Sequence, residues 1–139
     1  MKKSIYFKYA MTVFVISMIA VSCAKEEGDN DIITLPRDKF IGTWHVSSHG
    51  TLSGDQFWDL IIEPASASAA EQVVMKNFDL QGNNTTVYAD VSGNDLLIPG
   101  TVVGAVTVEG TGYLSGATLT LDYTSRDSQT DTVHATATK

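Results

Sequence analysis

The residues with chemical potential in this chain of 139 are three histidines, one cysteine and a spread of aspartates. His45 and His49 stand four apart, which on a strand places them on one side. At the usual rise they would be about 13 Å apart, too far to share a metal ion. Trp44 and Val46 point the other way and are expected to take the core. His134 falls in the last strand-like segment, so a sheet that closed on itself would bring it to the first and form a His49–His134 pair. With no third ligand in view, the pair reads as two surface imidazoles, and no metal is assigned. Catalysis finds little support. There is no Gly-x-Ser-x-Gly elbow, no EF-hand loop and no P-loop. Asp55, Asp59, Asp79, Asp90, Asp122 and Asp127 are scattered over expected turns and outer faces, where they serve solubility. The expectation is a protein without catalytic residues, without a cofactor and without enzyme activity.

The thiol of Cys23 has a different context. It follows Lys2, Lys3, Lys8 and an apolar run from about Tyr9 to Val21. That run is short of the roughly 20 residues a membrane-spanning helix needs, and it suits an export signal better. Ala20-Val21-Ser22-Cys23 resembles the lipobox of bacterial lipoproteins. The resemblance implies cleavage before Cys23 and a thioether-linked diacylglycerol on its sulfur. Each buried methylene then contributes about 0.8 kcal/mol, and two or more chains hold stably where one does not. Behind it, Ala24-Lys25-Glu26-Glu27-Gly28-Asp29 resembles the acidic export tag of surface lipoproteins of the Bacteroidetes type. That resemblance implies anchoring in the outer membrane, facing the cell exterior. A plain solvated linker has the same composition. The expected organisation is a signal peptide at 1–22, an acylated cysteine and acidic flexible linker at 23–39, and one domain at 40–139.

Charge narrows the partners. Of nine basic and sixteen acidic residues, three lysines and no acid precede Cys23, so residues 23–139 carry a formal charge of −10. Such a body repels nucleic acid and anionic head groups, which leaves the lipid as the membrane contact. No intrachain disulfide can form with one cysteine, so a core of roughly 100 residues must suffice.

From Phe40 onward the pattern is β. Thr, Val, Ile and aromatic residues alternate with polar ones, giving strand-like runs at 41–49, 56–63, 72–79, 85–91, 95–99, 103–114, 117–125 and 129–138. Leu119, Leu121 and Tyr123 share one face of their run, against Thr118, Thr120, Asp122 and Thr124. Trp58, Leu60 and Ile62 line one side of another. Gly82-Asn83-Asn84, Ser92-Gly93-Asn94-Asp95 and Ser115-Gly116 supply tight turns. Ala65–Glu71, after Pro64, has room for a helical turn. Links this short connect antiparallel neighbours and exclude parallel α/β folds. The fold class is therefore all-β, an antiparallel up-and-down meander of about eight strands closed into a small barrel, with a two-sheet sandwich as the alternative. Thr- and Asp-rich outer faces exclude a transmembrane barrel.

Phe40-Ile41-Gly42-Thr43-Trp44 resembles the Gly-x-Trp opening of lipocalins and related calycin barrels, and residues 40–139 together resemble the short lipocalin-like domains of Bacteroidetes surface lipoproteins. The resemblance implies that Gly42 permits a close turn, that Trp44 floors the barrel, and that the other end admits a small apolar ligand. Lipocalins also pack an arginine on that Trp; beyond residue 37 this chain offers only Arg126. Gly110 and Gly112 fall on an inward face with Val106, Val108 and Leu114, where missing side chains either open a cavity or let a long strand bend. Gly42, Trp44, Trp58, Gly110, Gly112 and Tyr123 are thus the pocket or floor residues. The alternative function is a non-catalytic interaction module whose outer face and loops meet protein or glycan. Asp131-Thr132-Val133 resembles an O-glycosylation acceptor of the same bacterial group.

Overall fold

Eight strands, each antiparallel to the next, close into a barrel in which the last pairs with the first. The structure is a computed structural model and describes residues 34–139. The signal at 1–22, Cys23 and the linker up to residue 33 lie outside the described residues. The strands are β1 (Gly42–Gly50), β2 (Gly54–Pro64), β3 (Gln72–Lys76), β4 (Thr86–Ser92), β5 (Asp95–Val103), β6 (Val106–Ser115), β7 (Thr118–Arg126) and β8 (Thr130–Thr138). Closure buries every strand edge, which an isolated meander would leave open to pairing with other chains.

Alternation drives the closure. β1, β4 and β8 bury every second residue, and β7 does so with Leu119, Leu121, Tyr123 and Ser125. The inward set from all eight strands forms one continuous core, including Trp44, Trp58, Leu60, Met75, Val87, Leu96, Leu121 and Ala135. An eight-stranded barrel is just wide enough to be filled this way or to hold one small ligand.

Two segments depart from the sequence expectation. The run expected at 72–79 pairs only as far as Lys76; the chain then leaves the sheet and makes a 3₁₀ turn at Phe78–Leu80. The Gly82-Asn83-Asn84 hairpin is accordingly part of a longer loop rather than a tight turn. The run at 95–99 extends to Val103, and the next strand starts at Val106, across a turn at Gly104 (φ 61°). Pro99 and Gly100 sit in a bulge between Ile98 and Thr101, so Pro99 needs no ladder donor and the strand continues past it.

The compact unit Thr34–Lys139 includes residues ahead of β1. A 3₁₀ turn at Asp38–Phe40 buries Phe40. Arg37 is 5% exposed. It donates through Nη1 to the carbonyls of Ser66 (2.7 Å), Ala69 and Gln72 (3.4 Å). One guanidinium thereby orders the 65–71 connection, which makes turns and no helix.

Candidate functional site

The two ends of the barrel are closed differently. At the end where the chain enters, Gly42 (φ 135°) lets β1 leave the Asp38–Phe40 turn at an angle that favours glycine. Trp44, 1% exposed, lies inside, and its Nε1 donates to the Phe40 carbonyl at 2.8 Å. The Lys139 ammonium stands 4.6 Å from the Trp44 ring centre and donates to the carbonyls of Lys39 and Ile41. A cation therefore covers this Trp, supplied by Lys139. Arg126 is at the opposite end of β7, beside Thr130 and Glu109.

The far end is closed by the 77–85 loop. Phe78 turns inward, 1% exposed, and its ring meets that of Tyr123 at 4.7 Å between centres and 56° between planes. Asp79 accepts hydrogen bonds from the Tyr123 hydroxyl (2.8 Å) and the Ser125 hydroxyl (2.7 Å). Burial first, then the Asp79 charge, pushes the Tyr123 phenol far above its usual range, so it stays protonated and donates. Asn77, Asp79 and Leu80 all have positive φ (55°, 52° and 59°). Such conformations cost about 1 kcal/mol or more each in a non-glycine residue and persist where surrounding contacts hold them. Asn77 helps by donating to the Asp59 carbonyl and accepting from the Gly82 amide. Leu80 is left half exposed over the mouth. Around it lie Leu52, Gln56, Gln81, Val106 and Gln129, which line a concavity of about 440 Å³.

The inward glycines are close approaches. A Cβ on Gly110 would stand 2.3 Å from the Asp122 carbonyl oxygen and 2.6 Å from the Tyr123 Cα; on Gly112 it would meet the Leu121 Cδ2 at 2.8 Å. Neighbouring groups occupy those places. Gly110→Ala is expected to cost about 2 kcal/mol, seen as a melting temperature roughly 10 °C lower. Gly112→Ala should cost less, because a leucine methyl yields more readily than a backbone. Trp58, on β2, is 7% exposed, and its indole Nε1 has no hydrogen-bond partner among the described residues.

A clamp that sequence reasoning missed fixes the β1–β2 turn beside the mouth. Asp131 of β8 accepts from the Thr51 hydroxyl and from the amides of Leu52 and Ser53. Gly50 leaves room for this clamp, since a Cβ there would come within 2.1 Å of the Ser53 hydroxyl and 2.5 Å of this carboxylate and push them aside. Desolvation pushes the Asp131 carboxyl up, but hydrogen bonds from Ser53, Leu52 and Thr51 outweigh it and hold it at about 2. The unfolded chain takes up this proton near pH 4 and the folded chain near pH 2. The clamp's stabilisation is therefore complete above pH 4 and lost as the pH falls toward 2. Urea midpoints measured from pH 4 to 2 should fall less steeply in Asp131→Asn than in the parent. The Asp131 side chain is committed to this turn, and neighbouring Thr132 is exposed on β8.

The fold and its two closures define a small, closed, eight-stranded antiparallel barrel. The sequence matches no family model and no curated protein. Among solved structures it is similar to a redesigned β-barrel, at a TM-score of 0.55 and 15% identity over 77% of this chain and 96% of that one. It is equally similar to EF1p2_mFAP2b, solved bound to DFHBI, at a TM-score of 0.55 and 14% identity over 76% of this chain and 99% of that one. Identity at this level speaks for the fold alone, and a β-barrel is what the three chains share.

Proposed function

We propose that this protein is a lipid-anchored, surface-exposed barrel that binds one small apolar ligand at its mouth and performs no catalysis. The observation that carries the reading is the 77–85 loop. It closes the mouth with an apolar ring, Phe78, held on backbone that non-glycine residues rarely adopt. A ligand that takes the place of the Phe78 ring beside Tyr123 would release that strain. The unpartnered Trp58 indole favours a molecule with one acceptor atom among its apolar ones, since an unmade buried hydrogen bond costs about 1–3 kcal/mol. Asn77 binds the backbone of Asp59, which ties the loop to β2 one residue along the strand from Trp58. That a similar barrel was solved with DFHBI bound is consistent with such a site. The anchor follows from Cys23 and its setting. Mass spectrometry of the processed chain should find Cys23 acylated at the new N-terminus, and proteolysis of intact cells should remove the barrel.

The test of binding uses residues 34–139 and an environment-sensitive apolar dye. Saturable uptake at one dye per chain, displaced by a nonfluorescent apolar competitor, supports the reading. Absence of uptake, in the parent and with Phe78 truncated, contradicts it.

One observation favours a second reading, an interaction module. On the outer wall, half-exposed Leu97 and Tyr113 flank a groove of about 450 Å³ rimmed by Asp90, Asp95 and Asp122. An aromatic face among carboxylate acceptors suits a sugar ring. Glycan-array binding abolished by Tyr113→Ala would favour this use.

A further inference from the structure

The barrel register places Asp55, His49, His134 and Asp122 in one row across β2, β1, β8 and β7. His49 is opposite Asp55, His134 is opposite His49, and Asp122 is opposite His134. All four side chains face outward and are exposed. Each outer carboxylate binds the imidazole beside it. His49 Nδ1 lies 2.6 Å from Asp55 Oδ1, and His134 Nδ1 lies 2.5 Å from Asp122 Oδ1. An ionised carboxylate only accepts, so each Nδ1 carries a proton, and in the neutral imidazole the lone pair is then on Nε2.

We propose that His49 and His134 form a two-imidazole site for a divalent late transition metal ion on the outer wall of the barrel. In an imidazole the Nε2–Cδ2 edge is opposite Nδ1. With each Nδ1 turned to its aspartate on β2 or β7, the Nε2–Cδ2 edge of each ring is on the side of the β1–β8 seam. The amide of Thr51 donates to the Thr132 carbonyl. Two residues along the ladder, His49 and His134 are therefore again a hydrogen-bonded pair, with Cα atoms about 5.5 Å apart. That separation lets two imidazoles reach one ion at the usual metal–nitrogen distance of about 2.0–2.1 Å. Imidazole donors suit Zn²⁺, Cu²⁺ and Ni²⁺, and a histidine ligand whose other nitrogen donates to a carboxylate is the arrangement that orients it and raises its basicity. Among the described residues no three metal-ligating side chains converge. Water or an incoming donor completes the shell, and the net negative body attracts the cation.

His45 is a built-in control. It also binds an aspartate, Asp59 at 2.6 Å. Its opposite residue on β8, however, is Thr138, so it has no second imidazole.

The experiment titrates Zn²⁺ into the full chain, purified without a polyhistidine tag in detergent micelles. Calorimetry and the imidazole ¹⁵N resonances are followed. The expected result is one Zn²⁺ per chain, with the Nε2 resonances of His49 and His134 shifting together and Nδ1 remaining protonated. His49→Ala and His134→Ala should each abolish this binding and His45→Ala leave it intact. Asp55→Asn and Asp122→Asn should each weaken it about tenfold or more, with an unchanged amide spectrum confirming the fold. Equal shifts at all three histidines, no shift at any, or full affinity in His49→Ala would overturn the proposal.

Discussion

Replacing Trp44 with alanine is expected to destabilise the barrel by about 4 kcal/mol, the range found when a large aromatic is deleted from a core. Three effects combine. The indole is 1% exposed, so truncation loses its transfer energy and leaves a hole that surrounding strands fill incompletely. The Phe40 carbonyl loses its Nε1 donor, and the Asp38–Phe40 turn loses its tie to β1. The Lys139 ammonium loses the ring beneath it, a contact worth about 0.5–1 kcal/mol at exposed sites. Urea unfolding should show a lower midpoint with an unchanged slope, because the surface exposed on unfolding is nearly the same. Trp44→Phe should recover part of the loss but not the hydrogen bond. A loss below about 1 kcal/mol for Trp44→Ala would mean that this end of the barrel is not closed by the indole.

Phe78→Ala tests the other closure. Deleting a buried phenylalanine typically costs about 3–5 kcal/mol. Here the ring also packs against Tyr123, and such aromatic pairs add about 0.5–1.5 kcal/mol. Two features reduce the loss. The left-handed residues Asn77, Asp79 and Leu80 can relax once the ring no longer holds them inward, and the site lies at the mouth, where water can enter. The expected net cost is about 3 kcal/mol. The sign for ligand binding is opposite. A vacated apolar space is a binding site for small apolar molecules, so the variant should take up an apolar dye more tightly than the parent. Stability loss without any gain in uptake would make Phe78 a core residue and nothing more.

The parts of this fold legible from sequence are those where one local pattern decides the outcome. Alternation through Leu119, Leu121 and Tyr123 predicts a half-buried strand, and short glycine-containing links such as Ser115-Gly116 predict hairpins. Together these predict the meander and its closure. Gly42 and Trp44 were marked by their resemblance to the Gly-x-Trp opening of lipocalins, which implies a close turn followed by a buried ring. The mouth was not readable. Val73, Val74, Met75 and Phe78 look like one strand, and only the Tyr123 and Ser125 hydroxyls, some forty-five residues away, explain why Asp79 leaves the sheet. Gly104 ends β5 with a positive φ that its Val-rich surroundings conceal. Gly50, just past the run at 41–49, belongs to β1, and the Asp131 carboxylate that occupies the space beside it lies eighty-one residues away in the chain. Likewise, His49 and His134 were recognisable as neighbours across a closing seam. Their carboxylates lie on two other strands, so nothing short of the full register could pair them.

The measurement that bears most directly on the account is a titration of the ¹⁵N-labelled barrel, residues 34–139, with a small apolar dye, followed by amide chemical shifts. Binding beneath the mouth loop predicts saturable changes concentrated at Asn77–Gln81, Tyr123 and Ser125, together with the Trp58 indole resonance, and little change around Gly42 and Trp44. Shifts confined to the outer wall around Leu97 and Tyr113, or no shifts at saturating dye, would contradict it.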